Sequence, residues 1–203
     1  NDANGKRVYV GGYAGDMKSG FVRNGRGYCI TDEIAKQYCE FEKGKMKRVM
    51  QEFNGKEMTE YNENGVMSYL GEWKGDMNSG FVRDGKGIEY EKDGETALYS
   101  GQWKSGKRDE FGTEYRDGHA LYTGEWKNGM RNGKGKEMDE SGRVVFVGEW
   151  KDGKGKGKEM DANGNVVYEG EWKNGKRNGV GYERDGNGVM KRGCLFENGE
   201  MKR

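Results

Sequence analysis

Proline is absent from these 203 residues, and leucine and isoleucine are nearly so. Without those aliphatic side chains a thick globular core has no filler. A hydrophobic share of 32% against 35% charged would, read alone, point to disorder. No run approaches the roughly 20 apolar residues of a membrane-spanning helix. Charge of one sign is missing as well: 36 Lys and Arg nearly cancel 35 Asp and Glu, for a net charge of +1. That balance argues against a dedicated nucleic-acid binder, which carries a strongly basic face. The three cysteines, Cys29, Cys39 and Cys194, include no C-x-x-C pair, and their scattered spacing suits reduced thiols in a reducing compartment. The start lacks the apolar stretch of a signal peptide. Because Asn1-Asp2-Ala3 reads as a trimmed chain or part of something longer, that lack weighs little.

What the chain does have is aromatic side chains and 38 glycines, placed regularly. All five tryptophans fill one slot of a recurring motif: Tyr69-x-Gly71-x-Trp73, Tyr99-x-Gly101-x-Trp103, Tyr122-x-Gly124-x-Trp126, Phe146-x-Gly148-x-Trp150 and Tyr168-x-Gly170-x-Trp172. Tyr122, Gly124 and Trp126 alternate with Thr123 and Glu125, the period of a strand with one packed and one wet face. Lys127-Asn128-Gly129 opens a tight turn, for which Asn and Gly tolerate positive φ. A second strand then runs through Gly133, Gly135 and Met138. Asn64-Gly65, Asp93-Gly94, Asp117-Gly118, Asn163-Gly164 and Asp185-Gly186 mark turns between units. Asn128-Gly129, Asp152-Gly153 and Asn174-Gly175 mark turns inside them. Repeated hairpins that bury a side only by stacking on neighbours predict an all-β, elongated, twisted antiparallel meander.

Glycine at Gly71, Gly101, Gly124, Gly148 and Gly170 costs strand stability, so its recurrence implies a ring lying against bare backbone. One feature resists alternation. Met138 falls on the face opposite Gly135, and Tyr90, Tyr115 and Met160 share its place. Either a bulge resets the pleat or these side chains cover the second face.

The copies are uneven. Residues 15–27 and 75–87 are near-duplicates that lengthen the hairpin loops after Tyr13 and Trp73 by about five residues relative to the commoner unit, a comparison made by spacing of like positions. Between them lies the least regular stretch, where Thr31 or Asp32 is placed to cap a short helix through Gln37. Phe41 and Phe196 stand in the tryptophan slot of degenerate copies. The reading is one domain over residues 1–203 with about eight units, sharp over 69–182 and degenerate over 9–62 and 188–203.

The motif Y-x-G-x-W-x-x-G-x-x-x-G-x-G resembles the MORN repeat (membrane occupation and recognition nexus). Tyr122, Gly124, Trp126, Gly129, Gly133 and Gly135 match each named position, as do Tyr168, Gly170, Trp172, Gly175, Gly179 and Gly181. In the unit from Phe146 the hairpin loop is two residues shorter, and Glu110 stands where the unit from Tyr99 should carry a glycine. The resemblance implies scaffolding, protein–protein contact, homodimerisation or phosphoinositide binding, sometimes beside a methyltransferase or lipid kinase domain. It supplies no catalytic residues.

Nothing in the residues themselves suggests chemistry. His119 sits beside an apparent turn without a ligand or nucleophile pattern, and Gly153-Lys154-Gly155-Lys156-Gly157 lacks the ending of a phosphate loop. No catalytic, cofactor-binding or metal-ligating residue is assigned, and no cofactor. The leading expectation is a non-catalytic scaffold, cytoplasmic and associated with cytoskeleton or membrane. It would bind a partner protein's helix or peptide, or a second copy of itself, along the face opposite the tryptophan row. Leu70, Val145 and Val147 are the candidate partner face. The alternatives are an anionic-lipid surface at Lys154, Lys156 and Lys158, and an accessory domain of a larger enzyme.

Overall fold

Alternation of aromatic and polar residues, punctuated by Asn-Gly and Asp-Gly, is realised as strand after strand. The computed structural model describes residues 9–16, 20–31, 34–76, 78–152, 154–173 and 176–202. Its packing divides the chain into two compact units, Asn1–Ala97 and Leu98–Arg203. Seventeen strands and no helix occur among the described residues. The first unit contains β1 (Tyr9–Asp16), β2 (Gly20–Thr31), β3 (Ile34–Glu42), β4 (Lys45–Asn54), β5 (Glu57–Tyr61), β6 (Met67–Asp76) and β7 (Gly80–Tyr90). The second contains β8 (Ala97–Lys104), β9 (Lys107–Arg116), β10 (His119–Lys127), β11 (Met130–Met138), β12 (Val144–Lys151) and β13 (Lys154–Met160). It continues through β14 (Val166–Lys173), β15 (Lys176–Arg184), β16 (Met190–Glu197) and β17 (Glu200–Lys202). Within each unit every strand pairs antiparallel with the next, so both are meanders.

Turn chemistry follows the expected residues. Asn128 and Gly129 have φ of 53° and 85°, the paired left-handed conformation of a two-residue hairpin turn. Asp117-Gly118, at φ 51° and 77°, repeats this turn between β9 and β10, whereas other turns between hairpins use a different device. The Asp139 carboxylate accepts the backbone N–H groups of Ser141 and Arg143, and Asp161 does the same for Asn163 and Asn165. In the turn after Asp185 the left-handed residue is Gly188 rather than Gly186. Gly153, Asn174 and Gly175, named in the sequence motif, lie outside the described residues.

Three expectations are corrected. Residues 34–42 form strand β3 instead of the tail of a capped helix. Ladder partners on β2 and β4 satisfy its backbone, and Cys39 and Phe41, two residues apart, are buried on one face. The extra residues after Trp73 lengthen the strands rather than the loop, since pairing continues to Asp76 opposite Gly80. The Met138 problem resolves as a bulge. The register shifts between Glu137 and Met138 opposite β12, and again between Glu159 and Met160 opposite β14.

Candidate protein-binding surfaces

The core of the second unit is a single file of rings. Tyr99, Tyr122, Phe146 and Tyr168 are each no more than 2% exposed. Each tryptophan after Trp103 packs between the ring four residues before it and the ring of the preceding hairpin. Trp126 meets Tyr99 and Tyr122 at 5.3 and 5.4 Å, and Trp150 meets Tyr122 and Phe146 at 5.0 and 4.9 Å, all edge-to-face. The file ends on Phe196, 5.3 Å from Tyr168. Edge-to-face contacts contribute about 0.5–1.5 kcal/mol each beyond burial, so the unit is stabilised by a chain of pairs where a wide core is lacking. Glycine makes room for them. A Cβ at Gly135 would lie 2.4 Å from the Tyr122 hydroxyl oxygen, and one at Gly124 would lie 2.5 Å from the Lys134 carbonyl oxygen.

An arginine brackets most of these rings. The Arg131 guanidinium lies 4.3 Å over Tyr122 and pairs with Glu114 of the preceding hairpin at 2.7 Å and with Glu137 of its own. Arg177 repeats this over Tyr168 with Glu159 and Glu183, and Arg83 over Tyr69 with Glu60 and Glu89 in the first unit. These guanidinium groups are only 17–22% exposed, so each pair stitches neighbouring hairpins more firmly than a surface ion pair would. Sequence reading missed this bracket. Its signal was present: each of these arginines stands six residues before the glutamate of its own hairpin.

A groove of about 650 Å³ borders the tryptophan side of the second unit. Its apolar wall includes Leu121, Met138 and Val145 beside Trp126, Trp150 and Trp172. Glu114 and Glu137 in its lining are already paired with arginine, which leaves the added charge of Arg116, Lys173 and Lys176 positive. A smaller groove of about 400 Å³ lies on the other face, with Phe111, Thr123 and Val147 along the backbone of Gly124, Gly135 and Gly148.

The sequence profile of the MORN repeat matches residues 99–120, 122–142, 146–166 and 168–190. Residues 99–190 belong to the MORN-repeat family. Curated proteins give no match. Among solved structures, a similar chain is an alternansucrase in complex with isomaltononaose, 18% identical with a TM-score of 0.22. That match covers 94% of this chain and 15% of the alternansucrase chain, so this chain spans a small part of its length. MORN repeats are in general protein- or membrane-interaction repeats and typically non-enzymatic.

The four matched MORN repeats carry most of the residues singled out from sequence. Trp103, Trp126 and Trp150 are buried, whereas Trp73 and Trp172 are half-buried. Val145 and Val147 do not share a groove. Val145 falls at the bulge that precedes Phe146 and lines the tryptophan side, whereas Val147 lines the opposite groove. Leu70, next to Tyr69 in β6, is half-buried in the first unit. Lys154, Lys156 and Lys158 are all exposed. They interleave with acid: Lys156 stands between Glu149 and Glu171 across the strands, and Lys158 opposite Glu169. His119 is exposed at the start of β10. Cys39 is fully buried beside Cys29, and burial first, then that neighbouring thiol, pushes its thiol up to about 12. It is therefore protonated, which suits a packing role.

Proposed function

We propose that this MORN-repeat chain is a non-catalytic interaction module whose tryptophan-side groove receives an acidic, amphipathic segment of another protein. The observation that carries the reading is the make-up of that groove. It combines Leu121, Val145 and the edges of three tryptophans with basic side chains at Arg116, Lys173 and Lys176. Apolar anchors give a bound helix or extended peptide its affinity, and a ring of unneutralised positive charge selects carboxylates and speeds encounter. The aromatic file below is held by packing and arginine brackets, so the groove is pre-organised and little ordering cost falls on the protein.

Affinity capture from source cells tests this, with wild type and Val145→Glu used as bait. The substitution adds a charge to the groove wall without touching the glycine row. Loss of the captured protein from Val145→Glu, with retention by Val147→Glu, supports the groove. Equal capture by both variants sinks it. Capture of anionic vesicles that is lost on replacing Lys154, Lys156 and Lys158 by glutamate would favour the lipid reading instead.

A further inference from the structure

In the first unit the chain covers its own tryptophan side. Seven residues, 75–81, separate the paired Lys74 and Val82 of β6–β7, where two separate Lys173 from Lys176 in β14–β15. The longer ribbon does not stand away from the sheet. Phe81 lies 4.8 Å from Trp73, 4.5 Å from Phe53 and 5.3 Å from Tyr28. Phe53 is on β4 and Tyr28 on β2, strands whose ladder partners are β1, β3 and β5, so the ring reaches across the aromatic side. Gly75 and Gly80, at φ 121° and 81°, take backbone that suits glycine and let the ribbon bend. Phe53 pairs one step before its hairpin closes, as Trp126 does, and so holds the place of a tryptophan. Phe81 is thus seated on two consecutive rings of the row.

From β8 to β15 each hairpin closes with two residues, so the second unit carries no ribbon of this kind. Trp103, Trp126 and Trp150 are 5–6% exposed there, whereas Trp172 is half-buried, as Trp73 is. Among the described residues Trp172 meets two rings, Phe146 at 4.9 Å and Tyr168 at 5.7 Å, both from the row itself. Trp150 and Trp172 line the groove together, with Lys173 and Lys176 beside them. They are the counterpart of Phe53 and Trp73 with a basic rim added.

We infer that the segment received by the groove carries an aromatic side chain next to a carboxylate, and that its ring seats on Trp150 and Trp172 as Phe81 seats on Phe53 and Trp73. The ring row sets the shape of the occupant, and the rim sets its charge. An aromatic side chain gains edge-to-face contacts there and leaves water, as an anchor residue does. Lys173 and Lys176 select the neighbouring acid. This inference rests on the groove reading and adds to it the chemistry of the anchor.

The chain's own occupant supplies the probe, a peptide of residues 76–82 with blocked ends, which holds one aspartate and one phenylalanine. Nitrogen-15 NMR of the whole chain follows the five indole N–H signals, assigned with Trp73→Phe and Trp172→Phe. At about 1 mM peptide, a concentration suited to a weak complex, the Trp172 signal is expected to shift. That of Trp73, already covered by Phe81, should stay. The same peptide with Phe81→Ala should bind about ten-fold more weakly. Lys173→Glu combined with Lys176→Glu in the chain should weaken the original peptide about ten-fold. Phe81→Ala in the chain uncovers the first seat, and Trp73 should then shift with the peptide too. Where that variant does not fold, the two peptides compared at Trp172 decide alone. A Trp172 signal indifferent to the peptide overturns the inference. So does an equal shift with the alanine peptide, or a Trp73 signal that stays fixed in a folded Phe81→Ala chain. The groove reading is judged separately, by loss of the captured protein from Val145→Glu.

Discussion

The hairpin β12–β13 and its neighbours β10–β11 and β14–β15 start from the same motif and solve it differently. In the neighbours the ladder slips. Gly124 faces Gly135 but Trp126 faces Arg131, which leaves Glu125 without a register partner on that side, and Gly170 and Trp172 repeat the slip around Glu171. In β12–β13 two residues are missing from the loop and pairing runs unbroken from Phe146 to Lys151, with Glu149 opposite Lys156. Four other features come and go with the slip. A glycine takes positive φ at the bulge, Gly133 at 92° and Gly179 at 83°. The tyrosine hydroxyl donates to the carbonyl of the skipped residue, Tyr122 to Glu125 at 3.1 Å and Tyr168 to Glu171 at 3.3 Å. An arginine lies over the tyrosine ring, and the skipped glutamate folds back on the bulge, with Glu125 accepting the Lys134 N–H. In the regular hairpin the ring is phenylalanine, the arginine is gone, and Glu149 takes a ladder place opposite Lys156.

The difference explains why tyrosine and arginine travel together. A bulge strands a carbonyl, and an unsatisfied buried carbonyl costs about 1–3 kcal/mol. The tyrosine hydroxyl satisfies it. Where no bulge exists, a hydroxyl at that depth would itself need an acceptor, and phenylalanine is the better choice. The ring file continues through Phe146 either way. Packing is thus common to all the hairpins, and the polar bracket is specific to the bulged ones. The regular hairpin still leaves a mark on its neighbour: the buried Trp172 indole N–H finds no acceptor among the described residues, whereas Trp126 donates to the Gly112 carbonyl at 3.2 Å.

The largest effect should come from the common feature. Trp126→Ala removes a ring that is 5% exposed, together with its contacts to two tyrosines. The expected loss is about 3–5 kcal/mol, read as a fall in the urea midpoint. Trp150→Ala should lose a similar amount despite the regular ladder around it. A much smaller loss there would show that the bulge, and not the ring file, holds the repeats together.

Next is the bracket. Arg131→Ala deprives Tyr122 of its cation and Glu137 of its ion pair, and leaves Glu114 only the longer pair with Arg108. Because the guanidinium is 19% exposed, the cost is set below that of a fully buried pair, at about 2–3 kcal/mol. β12–β13 offers no counterpart to lose. A double-mutant cycle between Arg131 and Glu114 that returns no coupling would mean the bracket is only a surface contact.

How much of this was legible in the sequence depends on whether the signal was local. Tyr-x-Gly-x-Trp alternation and the Asn-Gly turns were enough for the strands of the second unit, because each is stated within a few residues. Thr31 and Asp32 suggested a helix cap just as locally, and there the ladder pairing of residues 34–37 with β2 and β4 overrides it. Which groove a side chain enters was not legible. One extra residue at a bulge moved Val145 to the tryptophan side while Val147 stayed opposite, and alternation alone cannot count a bulge. The arginine bracket was legible as a spacing but silent as chemistry until the rings were stacked.

A third prediction exchanges the two rings. Tyr122→Phe should cost about 1–2 kcal/mol through the stranded Glu125 carbonyl, whereas Phe146→Tyr should gain nothing, since Glu149 already has a ladder partner. The same pair separates by pH. Burial pushes the Tyr122 hydroxyl up to about 12, against 10 for the unperturbed side chain. A folded value above the unfolded one means this contribution is complete below pH 10 and disappears as pH rises toward 12. Tyr168 is shifted the same way by burial. Tyr122→Phe should therefore flatten the alkaline fall in thermal midpoint, and an unchanged profile would show that the hydroxyl already reaches water.

The smallest effect tests the bulge glycine itself. In β8–β9 the place held by Gly133 and Gly179 elsewhere is taken by Glu110, and the bulge forms all the same, with Gly101 opposite Gly112 and Trp103 opposite Arg108. Glu110 accordingly sits at φ 55°, a left-handed conformation that non-glycine residues rarely adopt. Its side chain is exposed, so replacing it removes little packing. Glu110→Gly relieves the steric penalty of that conformation, roughly 1–2 kcal/mol, and gives back part of the gain through the greater freedom of glycine in the unfolded chain. The net expectation is a stabilisation of about 0.5–1 kcal/mol, seen as a higher urea midpoint at unchanged slope. Gly133→Ala should move the other way, since its φ is positive and a Cβ there would fall on the Glu125 carboxylate. If Glu110→Gly instead lowers the midpoint, the side chain holds the bulge by a contact of its own, and glycine at that place in the other repeats is a response to the folded-back glutamate rather than to the backbone.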